Sequence, residues 1–179
     1  VALARRDYAR AQRLLDKALQ AQPRSPELKI AQAQLQGSQG HWGNAVTVMQ
    51  EAVQEDPRRP ELHEELGRVL RKAGRTQDAI DVFRRAAQVF PDLEGHFHWL
   101  TGRALFRQDL FGEAAWCYRK ALETIPHDWR IHADLGKACA SLMQMDEASE
   151  AFEAALHLAP QDEKVRLKKV AQRLTGAGE

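Results

Sequence analysis

Between Pro60 and Pro91 the apolar positions follow a helical period, lose it, and then take it up again. In the first stretch Leu62, Leu66, Val69 and Leu70 recur at helical spacing, which predicts a short helix with one apolar face and Gly67 at its point of closest approach. Lys72-Ala73-Gly74-Arg75 breaks the period, with glycine where a helix stop calls for it. Ala79, Ile80, Phe83, Ala86 and Ala87 then share one face of a second predicted helix, which ends before Pro91. Proline has no amide hydrogen and disfavours helix in the residue before it, so this boundary is well marked.

The same landmarks recur along the chain. Prolines stand at 23, 57, 91, 126 and 160, in steps of 34, 34, 35 and 34 residues. An alanine in the first turn of each second helix keeps that register (Ala11, Ala45, Ala79, Ala114, Ala148), and so does a large apolar residue one turn on (Leu15, Met49, Phe83, Tyr118, Phe152). A further small residue follows at Ala18, Ala52, Ala86, Ala121 and Ala155, while the first helices supply Ala33, Gly67, Gly102 and Gly136. The expected organisation is a second helix alone in residues 1–23, full units at 26–57, 60–91, 95–126 and 129–160, and a single helix at 163–175.

A period of 34 with small residues at helix contacts, a large or aromatic residue between them and a closing proline resembles the tetratricopeptide repeat family. That resemblance implies an all-α, right-handed superhelical solenoid of antiparallel helix hairpins, forming one domain with a capping helix at its C-terminus. The chain departs from the pattern in three places. The usual bulky residue early in the first helix is replaced by Lys29, His63, His98 and His132; the turn glycine seen at Gly40 and Gly74 gives way to Asp109 and Met143; and one extra residue lies between Pro91 and Phe97, where the stacking angle is expected to change.

Residues 1–23 read as the end of a first helix, a turn around Arg6-Asp7-Tyr8 and a second helix carrying Ala11, Leu15 and Ala18. Such a helix lacks the partner that should cover its apolar face, which predicts a piece cut from a longer chain and self-association through that face. Toward the other end Leu167, Val170, Ala171 and Leu174 form a narrow stripe among Lys164, Arg166, Lys168, Lys169 and Arg173, as expected of a cap; Thr175–Glu179 reads as a linker.

Charge adds little direction. A net charge of +1 with 28% charged residues gives no global field toward nucleic acid or membrane, and no apolar run is long enough to span a bilayer. Cys117 and Cys139 share no metal or redox spacing, and Cys139 is expected to be a small buried hydrophobe.

In the family, the first helices line a concave groove that holds a peptide or a partner helix. Projected by helical spacing, the inward positions include Arg68, Arg71 and Lys72, then His96, Trp99, Arg103, Phe106 and Arg107, then Arg130, Asp134 and Lys137. The candidate partner-binding residues are Trp99, Arg103, Phe106, Arg107, His96, Arg68, Arg71, Lys72 and Lys137: a basic band with an aromatic pair, suited to an acidic or carboxylate-bearing segment. The plainer alternative is a solvated face in which pairs such as Glu64 and Arg68 neutralise each other.

Other chemistries find less support. His63, His98 and His132 occupy equivalent places on successive helices, whose axes in packed helices lie roughly 8–10 Å apart, too far for one zinc ion with Zn–N bonds of about 2.0–2.1 Å. No metal or cofactor is therefore expected. Glu64, Glu65 and Asp134 lack a nucleophile or phosphate-loop pattern, acidic residues interrupt the basic band that nucleic acid would need, and a chaperone-tail clamp would want asparagines where only Asn44 exists, in a second helix. The expected function is a non-catalytic protein-interaction scaffold; the alternative is an accessory module of a larger bacterial enzyme of transferase or hydroxylase type, used for substrate recruitment or oligomerisation.

Overall fold

The computed structural model describes residues 5–176, and among these every regular element is helical. They are α1 (Arg5–Ala21), α2 (Pro26–Ser38), α3 (Trp42–Glu55), α4 (Pro60–Lys72), α5 (Thr76–Val89), α6 (Glu94–Phe106), α7 (Phe111–Thr124), α8 (Trp129–Ser141), α9 (Met145–Leu158) and α10 (Gln161–Thr175). The helices divide between two compact units, Val1–Val82 and Phe83–Glu179, with α5 contributing to each. In the first, α1 packs on α2, α2 on α3 and α3 on α4; in the second, α6 packs on α7, α7 on α8 and α8 on α9, and α10 lies against α8 and α9.

Helix starts follow from local chemistry. The Ser25 hydroxyl accepts from the Leu28 amide at 3.3 Å and Pro26 opens α2, while Asp128 accepts from the Arg130 amide at 2.9 Å at the head of α8. The turns within hairpins share one closure. After α2, α4, α6 and α8 a residue with positive φ (Gly40, 84°; Gly74, 79°; Asp109, 59°; Met143, 61°) is followed by an amide that reaches back five residues. Those bonds run from His41 to Gln36, Arg75 to Leu70, Leu110 to Leu105 and Gln144 to Cys139, at 2.9–3.2 Å. They cap carbonyls that the helix leaves unpaired. Asp109 and Met143 thus hold the conformation that glycine holds elsewhere.

The repeating small residues are where helices touch. Ala45, Ala79, Ala114 and Ala148 are fully buried, as are Met49, Phe83, Tyr118 and Phe152 to within a few per cent. A Cβ built on Gly102 would stand 2.6 Å from Tyr118 Cε1, and one on Gly136 would stand 3.0 Å from the Phe152 ring. Burying a side chain of that size stabilises the fold by about 1.5–3 kcal/mol, so each aromatic on its glycine is a substantial part of one interface. Cys139 is fully buried, as expected, and burial raises its thiol pKa; burial likewise pushes the Cys117 thiol up to about 11.

One local expectation changes. Arg6, Asp7 and Tyr8 do not form a turn: α1 is continuous from Arg5, and the end of a preceding helix would lie outside the described residues. The extra residue after Pro91 is taken up by a short 3-10 turn, Pro91–Leu93, ahead of α6. The polar replacements are satisfied locally. Lys29 Nζ lies 2.7 Å from Glu55, His63 Nε2 bonds the Pro57 carbonyl at 2.9 Å, and His132 Nε2 bonds the Pro126 carbonyl at 2.8 Å. A carbonyl can only accept, so both rings carry their proton on Nε2. Each ties its helix to the loop that leads into it. His98, at the equivalent place on α6, instead meets Glu94 at 3.3 Å.

Candidate functional site

In the second unit, α6, α8 and α10 enclose a pocket of about 460 Å³. Its apolar side is made by Trp129, Ala133, Leu167 and Val170, and its polar side by Trp99, Arg103, Arg130, Asp134, Lys137, Glu163 and Arg166. Four cationic side chains face two carboxylates there, so the pocket is positive overall. The Trp99 ring carries the Arg103 and Arg130 guanidiniums at 5.0 and 5.2 Å from its centroid. Its indole N–H donates to Asp134 at 3.0 Å.

Asp134 is the hinge of this arrangement. It accepts from Trp99 and, at 2.8 Å, from Lys137, and Arg103 Nε lies 3.9 Å away. Arg130 is held separately by a two-pronged contact with Asp128, whose carboxyl is kept below the usual range chiefly by those Arg130 hydrogen bonds. Arg103, close to Asp134 but not hydrogen-bonded to it, and Arg166 are the cations best placed to meet a carboxylate from outside.

The first unit repeats the device. Gln34, Arg68, Arg103 and Lys137 share one register position, and Glu65 and Asp134 share another. Glu65 is 8% exposed; it accepts from Gln34 at 3.3 Å and from Arg68 Nε at 2.7 Å, with a second bond from Arg68 Nη2. A carboxylate thus joins the register position of one first helix to that of the next, as Asp134 does between Arg103 and Lys137. Beside it a pocket of about 430 Å³ is lined by Gln34, Gly37, Ser38, Trp42, Arg68 and Lys72.

The sequence-predicted residues divide accordingly. Trp99, Arg103 and Lys137 line the pocket of the second unit, and Arg68 and Lys72 line that of the first. His96 stands edge-on to Trp99 at 5.9 Å, at the margin of the pocket rather than in its wall. Phe106 packs edge-on against Phe111 at 5.1 Å and is not in that wall, nor is Arg107, which caps α6. Arg71 is half-buried on α4 and lines neither pocket. The basic band is partly neutralised, because Arg68 bonds Glu65 and also feels the charge of Glu64, and Lys137 bonds Asp134. Trp129 and Arg166 were not foreseen: Trp129 is the first residue of α8, and Arg166 lies on the helix taken for a simple cap.

Comparison with known proteins settles the class. A tetratricopeptide repeat model matches residues 30–94 and 100–163, well over half of the chain. The chain belongs to the tetratricopeptide repeat family. Among solved structures it is similar to BtubC (BKLC) from P. vanneervenii, with a TM-score of 0.78, 17% identity and coverage of 99% of this chain and 85% of that one. It is also similar to TTC0263, a thermophilic TPR protein in Thermus thermophilus (0.71, 22%, 93% and 90%), and to MamA from Desulfovibrio magneticus RS-1 (0.69, 20%, 84% and 84%). At these identities the likeness concerns the fold. No curated protein sequence matches the chain.

Proposed function

We propose that this protein is a non-catalytic scaffold that binds a peptide or partner segment on the first-helix face of its repeats, with an acidic partner favoured. The observation that carries this reading is the positive pocket between α6, α8 and α10, where Trp99, Arg103 and Lys137 meet beside an apolar wall. Aromatic and arginine side chains around a partly enclosed apolar surface are the usual makings of a binding hot spot. The Trp42–Arg68–Lys72 pocket supports the same reading for the first unit. Among the described residues no three His, Cys, Asp or Glu side chains converge as a metal site, and no helix is long and apolar enough to cross a membrane.

The test is selection of binding peptides from an unbiased display library on the folded chain, followed by titration against variants. Arg103→Glu is expected to weaken the selected peptides roughly tenfold or more, mainly through slower association and a reduced salt dependence. Its thermal stability should stay near that of the parent, because Arg103 is half exposed. Peptides that bind both proteins equally would place the interaction elsewhere.

A further inference from the structure

Resting on that reading, we infer that the α6–α8–α10 pocket takes a two-part ligand: one apolar side chain with a carboxylate close beside it in the same peptide segment. The division is built into the walls. Trp129 from α8 and Leu167 and Val170 from α10 form a continuous apolar surface, tied into a cluster with Ala133 and Phe152. Only an apolar side chain gains from being placed there, since a polar one would lose its water without a partner.

Cationic side chains border that surface. Arg103 comes from α6 and Arg166 from α10, and both line the pocket. Arg130 and Lys137 are already hydrogen-bonded, to Asp128 and Asp134, whereas Arg103 meets Asp134 only as a looser ion pair at 3.9 Å, so an incoming carboxylate falls to Arg103 and Arg166. Glu163, one turn before Arg166 on α10, is the acidic part of that wall and disfavours a second carboxylate on its own side. The ligand is therefore mixed, with its acidic residue set toward the arginines, and a uniformly acidic segment fits less well.

One consequence concerns α10. A helix that merely shields the end of the core has no reason to influence ligand choice, whereas here it supplies half of the apolar wall and one of the two available cations.

The experiment reads the consensus of peptides selected from a random library on the full chain and measures their affinities for three variants. We expect a large apolar residue (Leu, Ile, Met or Phe) with Asp or Glu adjacent or nearly so. Val170→Ser and Arg166→Glu should each weaken those peptides several-fold to roughly tenfold. Arg166 is exposed, so its variant folds normally and carries the test if Val170→Ser loosens α10. Exchanging the peptide's acidic residue for Lys should restore part of the binding to Arg166→Glu. Peptides that are lost with Arg103→Glu but indifferent to both α10 variants, or that lack the apolar–acidic pair, overturn this inference and leave the broader reading standing. Peptides indifferent to Arg103→Glu as well, or a selection that yields none sensitive to it, overturn both.

Discussion

Met143 offers the sharpest test of how the hairpins close. It lies after α8 at φ 61°, in a position that Gly40 and Gly74 fill in the hairpins after α2 and α4, and its side chain is 77% exposed. A residue with a Cβ in the left-handed region is destabilised by about 1–2 kcal/mol. Replacement by glycine relieves that cost but adds freedom to the unfolded chain, worth about 0.4–1 kcal/mol in the opposite direction. So exposed a side chain contributes little burial to lose. Met143→Gly should therefore stabilise the protein by about 0.5–1 kcal/mol, a rise of about 1–4 °C in Tm for a chain of this size. Asp109→Gly should act in the same direction but less, since aspartate enters this region more readily. Gly74→Ala should do the reverse and cost about 0.5–1 kcal/mol by the same two terms. Urea titration and thermal melts followed by circular dichroism read all three. A lower Tm for Met143→Gly, or no loss for Gly74→Ala, would refute the argument that the turn conformation is imposed and the residue merely tolerated.

The periodic part of the fold was legible because it depends on size at fixed spacing. Ala114 against Tyr118, and Gly102 beneath the same ring, need only a small residue and a large one at set intervals, and the sequence displays both. The left-handed turns were less legible. Asp109 and Met143 looked like departures from the pattern, yet the backbone geometry is kept, because the amide reaching back to Leu105 or Cys139 rewards it whatever the side chain. The site was legible only in part. Helical projection placed Trp99, Arg103 and Lys137 on one surface, but it cannot say where a long side chain ends. Phe106 turned toward Phe111, and Arg68 and Lys137 were taken by Glu65 and Asp134. Spacing did carry a signal for that neutralisation, a carboxylate three residues before each cation, the i,i+3 distance at which such pairs meet. Arg166 and Trp129 depend on how α10 settles against α8, a contact that no local pattern encodes.

Ala79 is fully buried and Gln77 exposed, so Ala79→Leu should cost about 1–3 kcal/mol by overpacking while Gln77→Leu stays near neutral; equal melting temperatures would mean the assigned register is wrong. The Glu27 carboxyl is held at about 2 by its own backbone amide first, then by Arg59 at 2.7 Å and Ser25. A depressed carboxylate pKa stabilises the fold above its ordinary value of 4.5, and that contribution is lost as pH falls from 4.5 toward 2. An NMR titration should find that low midpoint, and Arg59→Ala should raise it only part of the way; full restoration would assign the effect to Arg59 alone. The last prediction separates the two roles of Asp134, which accepts from Trp99 and Lys137 and also subtracts one charge from the pocket. Asp134→Asn keeps an acceptor and removes the charge, so acidic peptides should associate faster and with a steeper salt dependence. Asp134→Ala removes the acceptor as well, leaving a Trp99 N–H and a half-buried Lys137 ammonium without it, at a cost of about 1–3 kcal/mol. If charge governs the site, the asparagine variant binds such peptides more tightly than the parent and the alanine variant does not. If the asparagine variant instead binds as poorly as the alanine one, Asp134 touches the ligand itself, and the site selects for a donor in place of a carboxylate.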